Sequence, residues 1–434
     1  MESSSPSTAA NRRLLSIHNH TSPIPRPVDG VVLVLPTGGK VTAKTLTNSA
    51  GTFDNTQLRL NETRILDYHF LSNVSLALEL SAVGTRYEGA TDHVPKANLL
   101  EIAVPGGILK DIAVADVWTA IYALFTLYRK HEHIPIRFSS VPNSEELSRY
   151  LLLTGLGRPY QWGSKAHAKS LESRKIIFLS RSAFWQGAGS TGYHDRGWIL
   201  SPAPVFPNVP SFTRSDLVIA SHPLRPPKPR QGEVMYRRYC AAVGQTLELV
   251  SFDLYGNSAR DAGGLSRHMA AFHRWHNDER VNSAWGERGS LETHREYVEG
   301  VIADPGVVPL MMSWDGELMG YVEIVWVKEN HVAQHYLSDT VVGDWERGIH
   351  VLVGEDKFLG GGRGKSNSSP EIQCSETDSK LSAEIWLRSL AHYLFLYDAR
   401  IQRVIGEPKQ SNVAMVKAGY SAGFHLQAVS CPCF

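Results

Sequence analysis

Prolines crowd one short stretch of the chain: Pro202, Pro204, Pro207, Pro210, Pro223, Pro226, Pro227 and Pro229. Each fixes φ and removes an N–H donor, so no helix or central strand can run through the stretch. It divides a chain of 434 residues, too long for one ordinary domain, into two halves of ordinary domain size. The expected boundaries are a loose Ser, Thr and Pro-rich tail at 1–28, an N-terminal domain at 29–200, a proline-rich linker at 201–230 and a C-terminal domain at 231–434. With 42% hydrophobic and 20% charged residues, both halves can bury a core.

Charge excludes one class of function. Lys and Arg total 44 against 43 Asp and Glu, a net charge of +1, which lacks the basic surplus of a dedicated nucleic-acid binder. Cys240 and Cys374 stand alone, and Cys431 and Cys433 close the chain, so a disulfide framework is not expected. The most apolar stretch, 112–127, is broken by Asp116 and is short for a bilayer. These features suggest a cytoplasmic protein with no membrane partner. The last residues also lack a Ser-Lys-Leu peroxisomal address.

The N-terminal half reads as mixed α/β. Strands are expected at 31–35, from Val41 and at 74–83, with Thr37-Gly38-Gly39 as the first turn. Val117, Ile121, Leu124, Phe125 and Tyr128 recur at helical spacing, and 145–153 forms a shorter helix. In the C-terminal half, helices are expected at 265–276 and 291–302, then a hairpin of 308–314 and 318–327 about Asp315-Gly316. A strand at 349–353 leads through a glycine-rich loop to a helix at 381–397. A strand at 401–405, a helix at 413–420 and a strand at 424–429 complete the chain. That alternation implies a mixed sheet covered by helices.

Four features could carry chemistry. The loop with Gly360, Gly361, Gly362, Arg363, Gly364 and Lys365 can turn backbone N–H groups and two cations toward an anion. It is not a Walker loop, because Leu359 stands where the first glycine must be. His350 leaves its strand with Leu352, opposite Ile349, Val351 and Val353, and is expected to point away from the helix-packed face. The run from Phe272 through His273, Arg274, Trp275, His276, Asn277 and Asp278 lacks metal-ligand spacing, and no metal is expected. Glu323 and Trp326 fall on opposite faces of the hairpin's second strand, and reach one cavity only if a bulge re-aims it.

Together these segments resemble the acyl-CoA-dependent N-acyltransferases of siderophore biosynthesis, a branch of the GNAT fold. The resemblance runs from about 260 to 425. It rests on Phe272-His-Arg-Trp-His-Asn-Asp-Glu-Arg-Val, Met319-Gly-Tyr-Val-Glu-Ile-Val-Trp and Asp344-Trp-Glu-Arg-Gly-Ile-His-Val-Leu-Val-Gly. It continues through His392-Tyr-Leu-Phe-Leu-Tyr-Asp and Arg403-Val-Ile-Gly-Glu-Pro-Lys-Gln-Ser-Asn. It implies an α/β (α+β) chain whose C-terminal domain has the GNAT fold, after a mixed α/β N-terminal domain that could be a degenerate GNAT-like copy.

In such a fold the pantetheine arm of acyl-CoA pairs with the strand before the loop, here Val351, Leu352 and Val353. The pyrophosphate sits on the loop, here Gly361, Gly362, Arg363, Gly364 and Lys365. The family histidine matches His350, with Glu407 or Asn412 supporting it. Trp275, Asn277, Glu323 and Trp326 are the expected acceptor-binding residues. An Asp that bacterial members carry after Glu-Pro is replaced here by Lys409, Gln410 and Ser411.

The implied reaction is acyl transfer from an acyl-CoA to an N-hydroxylated amino acid, N5-hydroxyornithine or N6-hydroxylysine, giving a hydroxamate. The expected partners are those small molecules, with homodimerisation compatible and no nucleic acid. A GNAT enzyme for another amine, such as a polyamine or aminoglycoside, and a degenerate binding subunit are the alternatives.

Overall fold

The computed structural model describes residues 27–47, 53–77, 96–105, 110–159, 175–204, 206–215, 218–261, 263–335, 341–359 and 381–426. The chain forms two compact units, Met1–Gly197 and Trp198–Phe434.

In the first unit, β1 (Asp29–Val34), β2 (Lys40–Thr47), β3 (Phe53–Leu60), β4 (Thr63–Ala77) and β5 (Lys96–Ala103) precede α1 (Val114–Leu127) and β6 (His133–Ser139). Then come α2 (Ser144–Leu153), β7 (Gly157–Pro159), β8 (Ile177–Ser180) and α3 (Arg181–Trp185). The strands make one sheet in the order β1-β2-β3-β4-β5-β6-β8-β7. Among the described residues only β5 and β6 pair in parallel in this sheet. A parallel pair needs a crossover, and α1 supplies it. All residues from Val117 to Phe125 are buried, so α1 is sunk into the core rather than laid on it by one stripe.

In the second unit, β9 (Pro210–Arg214) and β10 (Ile219–Pro223) form a separate two-stranded ladder. A six-stranded sheet contains β11 (Val234–Cys240), β12 (Gln245–Ser251), β13 (Val307–Trp314), β14 (Glu317–Trp326), β15 (Arg347–Val353) and β16 (Val404–Gly406), in that order. Between β12 and β13 lie α4 (Arg267–His276), α5 (Glu279–Trp285) and α6 (Leu291–Ala303). After β15 come α7 (Leu381–Tyr397) and, beyond β16, α8 (Val413–Ala422).

Local sequence explains these boundaries. Ser266, Asp278 and Ser290 each precede a helix and accept N–H bonds from its first turn. Asp315 and Gly316 both take positive φ, the mirror-image turn that joins β13 to β14 without splaying them. Phe252, Met269, Phe272, Trp275, Val298, Met311, Tyr321 and Leu352 form the core between α4–α6 and the sheet.

The division between the units falls between Gly197 and Trp198. The described part of the proline-rich stretch is bound to the second unit. Arg225 pairs with Glu329, both side chains 3% exposed, and lies over the Trp326 ring. Lys228 Nζ donates to the carbonyls of Val301 and Ile302 at 2.8 and 2.7 Å.

Three strands differ from expectation: the one expected at 74–83 is the end of β4, which starts at Thr63 and is described to Ala77, while 78–83 lie outside the described residues. At 401–405 the strand begins only at Val404, because Ile401 N–H closes a turn on Asp398 C=O at 3.1 Å. At 424–429, the described residues 424–426 are irregular, and the rest lies outside the described residues. Among the described residues, no helix is long and apolar enough to cross a membrane.

Candidate active site

Antiparallel register sets Glu323 of β14 opposite His350 of β15, and Tyr321 opposite Leu352. Tyr321 and Leu352 belong to the core beneath α4–α6, so alternation puts Glu323 and His350 on that same helix-covered face. The expectation that His350 points away from helix packing is therefore corrected. Both faces carry helices: on the other, Tyr393 of α7 meets the ring of Tyr236 in β11.

The buried carboxylate of Glu323 gathers three donors. Tyr297 of α6 donates to Oε1 at 2.7 Å and Tyr321 donates to it at 2.9 Å, while His350 Nδ1 lies 3.4 Å from Oε2. Nε2 of His350 lies 3.1 Å from Oε1 of Glu407, just past β16. It is close enough for an ion pair but not aligned for a hydrogen bond. His331, in a short turn after β14, brings its Nε2 within 2.9 Å of the same Glu407 oxygen. The His331 and His350 rings stack with centroids 5.6 Å apart.

Electrostatics comes directly from this geometry. Burial pushes the His350 pKa down, but Glu323 and Glu407 outweigh it and hold the ring up at about 9. Burial pushes both carboxylates up, and the donors around each bring them below the ordinary value. Burial and the Glu323 charge drive the Tyr297 and Tyr321 hydroxyls far up, so both stay donors. At neutral pH, His350 is an imidazolium between two carboxylates.

The strand that carries His350 has an open edge. Gly354 N–H donates to Met319 C=O at 2.8 Å and Val327 N–H to Glu346 C=O at 3.1 Å. That alternation turns the backbone groups of His350 and Leu352 toward β14, and those of Val351 and Val353 the other way. On that other side β16 pairs only with Arg347, Gly348 and Ile349. Among the described residues no strand pairs there beyond Ile349. Arg280 takes the Val353 carbonyl at 2.9 Å.

The first unit repeats the crossover, β5–α1–β6, without the opening. There the parallel ladder continues through Leu100, Glu101, Ile102 and Ala103 to the end of β5. The His–Glu pair is also reversed: His69 of β4 stands opposite Glu101 of β5, and Glu101 is bound by Arg137.

The remaining expected residues divide. Glu407 joins His350, whereas Asn412 caps α8 by accepting from Met415 N–H at 3.2 Å. Glu323 joins the network. Trp326 does not, since no bulge intervenes between β14 and β15, and its ring is held by Arg225 and Arg347 on the opposite face. Trp275 is buried against Gly354 and donates its indole N–H to Glu355 at 2.9 Å. Asn277 ends α4 and donates to Gly289 C=O at 3.0 Å. Gly361, Gly362, Arg363, Gly364 and Lys365 lie outside the described residues.

Sequence reading missed His331 and the hydroxyl of Tyr297. Nothing in the sequence singles out a histidine in a loop, while the position of Tyr297 on its helix is legible only once β14 is packed beneath it. One ring nitrogen each of His331 and His350 and one oxygen of Glu407 lie within 4.8 Å of one another, a donor set of the kind that can hold a metal ion. Both rings already lie against Oε1 of Glu407, His331 Nε2 at 2.9 Å and His350 Nε2 at 3.1 Å.

A family profile described as Acetyltransferase (GNAT) domain matches residues 264–369 and 375–429. Acyltransferase ato1 of Omphalotus olearius is 35% identical over 305 residues, 69% of this chain and 67% of its own length. The N(5)-hydroxyornithine:cis-anhydromevalonyl coenzyme A-N(5)-transacylase SIDF of Beauveria bassiana is 32% identical over 344 residues, 72% of this chain and 68% of its own. N(6)-hydroxylysine O-acetyltransferase of Escherichia coli is 30% identical over 265 residues, 61% and 70% respectively. These matches span about two thirds of each relative's length. With the sheet, its crossover and the histidine site in place, the chain belongs to the GNAT acyltransferase family of siderophore biosynthesis and is an acyl-transferring enzyme.

Proposed function

We propose that the second unit transfers an acyl group from acyl-CoA to the nitrogen of an N-hydroxylated amino acid, N5-hydroxyornithine in the first place, forming a hydroxamate. The observation that carries this reading is His350, an imidazolium held between Glu323 and Glu407 where β15 parts from β16. Val351 and Val353 offer backbone groups to the pantetheine arm along the open edge, as an added strand does. The loop with Arg363 and Lys365 receives the pyrophosphate.

A hydroxylamine nitrogen is already neutral near pH 7, so no strong base is needed to make it a nucleophile. The enzyme aligns it with the thioester carbon. His350 donates to the hydroxylamine oxygen, which occupies that oxygen's lone pair and leaves nitrogen to attack. Glu407, ionised and beside it, takes the N–H proton as the C–N bond forms and the C–S bond breaks.

The oxygen contact separates this reading from O-acyl transfer, the activity in the name of the Escherichia coli relative. Incubation with a panel of acyl-CoAs and plain or N-hydroxylated amino acids, read by intact mass and ferric colour, tests it. The expected product is a hydroxamate that binds ferric iron. An O-acyl product, or turnover only with plain amines, overturns the proposal. His350→Ala should lower turnover by about 10²–10⁴-fold, with acyl-CoA still bound and thermal unfolding unchanged.

A further inference from the structure

The two ring nitrogens of His350 are held differently. Nδ1 faces Oε2 of Glu323, whose Oε1 accepts from Tyr297 and Tyr321. Nε2 is buried and makes no hydrogen bond among the described residues. A buried ring nitrogen without a hydrogen bond calls for an explanation, and its surroundings supply one. Oε1 of Glu407 lies 3.1 Å from that nitrogen and 2.9 Å from Nε2 of His331. Two neighbouring donors on one Zn²⁺ ion, with bonds of roughly 2.0–2.2 Å, stand about 3 Å apart. Glu407 is therefore already spaced from each ring as a neighbouring ligand is. The carboxylate behind His350 completes the pattern, since a metal-bound histidine is commonly oriented by an acid at its other nitrogen.

We propose that His331, His350 and Glu407 bind a divalent first-row transition ion, and that this ion and acyl transfer exclude one another. Two imidazoles and one carboxylate suit Fe²⁺, Co²⁺, Ni²⁺ and Zn²⁺, whereas Mg²⁺ and Ca²⁺ take oxygen ligands. The three ligand atoms lie within 4.8 Å of one another. The two rings must approach by about 1–2 Å for all three to reach one ion. His331 is the member able to move: it opens a short turn, His331–His335, and its side chain is 40% exposed against 18% at His350. Charge favours the ion as well, because a dication between two neutral rings balances the carboxylates of Glu323 and Glu407. On binding, the proton on Nε2 of His350 passes to solvent, and that nitrogen's lone pair takes the metal. His331 binds through Nε2 with its own proton on Nδ1, and no electron is transferred. The exclusion rests on the reading that His350 donates to the acceptor and Glu407 takes its proton. A metal-bound Nε2 has nothing to donate, and a metal-bound Glu407 oxygen is a poor base.

The site itself is tested without substrate. The full chain, labelled with nitrogen-15 histidine and stripped with a chelator, is titrated with Zn²⁺ and, separately, with Mg²⁺. Zn²⁺ should shift the ring signals that disappear in His331→Ala and in His350→Gln, and Mg²⁺ should shift neither. By calorimetry, His331→Ala and Glu407→Gln should each weaken Zn²⁺ binding at least about 10²-fold, the upper end of the loss from removing an outer partner alone. Zn²⁺ that leaves both signals in place, or that binds both variants as tightly as the unaltered protein, is held elsewhere and overturns the proposal.

The exclusion is read by the mass of the product formed from an acceptor that the unaltered protein acylates. Zn²⁺ should abolish turnover, and a chelator should restore it. In His331→Ala, taken against its own metal-free rate, half-inhibition should need at least about 10²-fold more Zn²⁺. Equal sensitivity places the inhibition elsewhere and overturns the proposal. Zn²⁺ that binds at these residues and leaves turnover untouched overturns the exclusion, and with it the part given to His350 in the chemistry. Binding there in a protein that acylates none of the acceptors upholds the site, and counts against the hydroxylamine reading instead.

Discussion

Replacing Glu323 by glutamine removes the charge at the buried end of the network and keeps its shape. The amide oxygen still accepts from Tyr297 and Tyr321, and the amide nitrogen then faces Nδ1 of His350. That nitrogen must offer a lone pair, which only the neutral ring has. The imidazolium loses a charge-assisted hydrogen bond worth roughly 1.5–3 kcal/mol. At about 1.36 kcal/mol per unit, the His350 pKa falls by roughly one to two units from about 9.

The same shift appears in stability. A ring held above its ordinary 6.5 stabilises the fold fully below that value, and the contribution is lost as pH rises through about 9. The gap corresponds to roughly 3 kcal/mol at most. Glu323 and Glu407, held low, report the same contacts from the acid side, where stability falls as pH drops through their folded values. The two windows describe one set of ion pairs and do not add. Histidine ring titration by NMR, with the His350 signal identified by its loss in His350→Gln, reads the pKa. Urea unfolding across the alkaline window reads the stability. If His350 in Glu323→Gln still titrates at about 9, Glu407 alone supplies the field and the role given to Glu323 is wrong.

Two further substitutions test the frame around the site. Arg225→Met leaves the Glu329 carboxylate buried beside His222 without its guanidinium, and should cost about 3–5 kcal/mol in chemical denaturation; adding Glu329→Gln should recover much of that loss. Gly354→Ala places a Cβ 2.0 Å from the Trp275 ring, and should cost about 1–3 kcal/mol by overpacking, with a shift in tryptophan emission. A wild-type melting temperature for Gly354→Ala would mean that the ring turns aside freely.

Much of the second unit is legible in the sequence. Helix 381–397 has the expected bounds, Asp315-Gly316 makes the expected hairpin, and of the two residues expected to support His350, Glu407 and Asn412, Glu407 is the one beside it. Each rests on local signals: periodicity, a turn dipeptide, and the end of a strand beside its neighbour. The Glu323–His350 pair was less legible because it depends on register between strands separated by a long connection. The proline stretch shows a different limit. Prolines exclude a central strand, but β9 and β10 close their ladder on the pair Pro210 and Pro223, at its end, where a missing N–H costs little. The same prolines that mark a break in the sequence therefore also frame a ladder.

The two crossovers differ in the length of the returning strand and in the residues just beyond it. In the first unit β6 runs for seven residues, and its parallel ladder reaches the last residue of β5. In the second, β16 is three residues long, and its last pair is Ile349 with Gly406. Two positions later stands Pro408, whose missing N–H falls on the side of β16 away from β15 and which biases Glu407 before it toward extended backbone. Pairing stops just before Glu407-Pro408, so among the described residues the backbone of Val351 has no strand partner beyond β14. Glu407 leaves the strand where that opening begins, within 3.1 Å of His350. An ordinary strand there would close the edge, as β6 does, and pack the position of Glu407 into the sheet. The shortness of β16 therefore accounts for both the open edge and the acid beside the histidine.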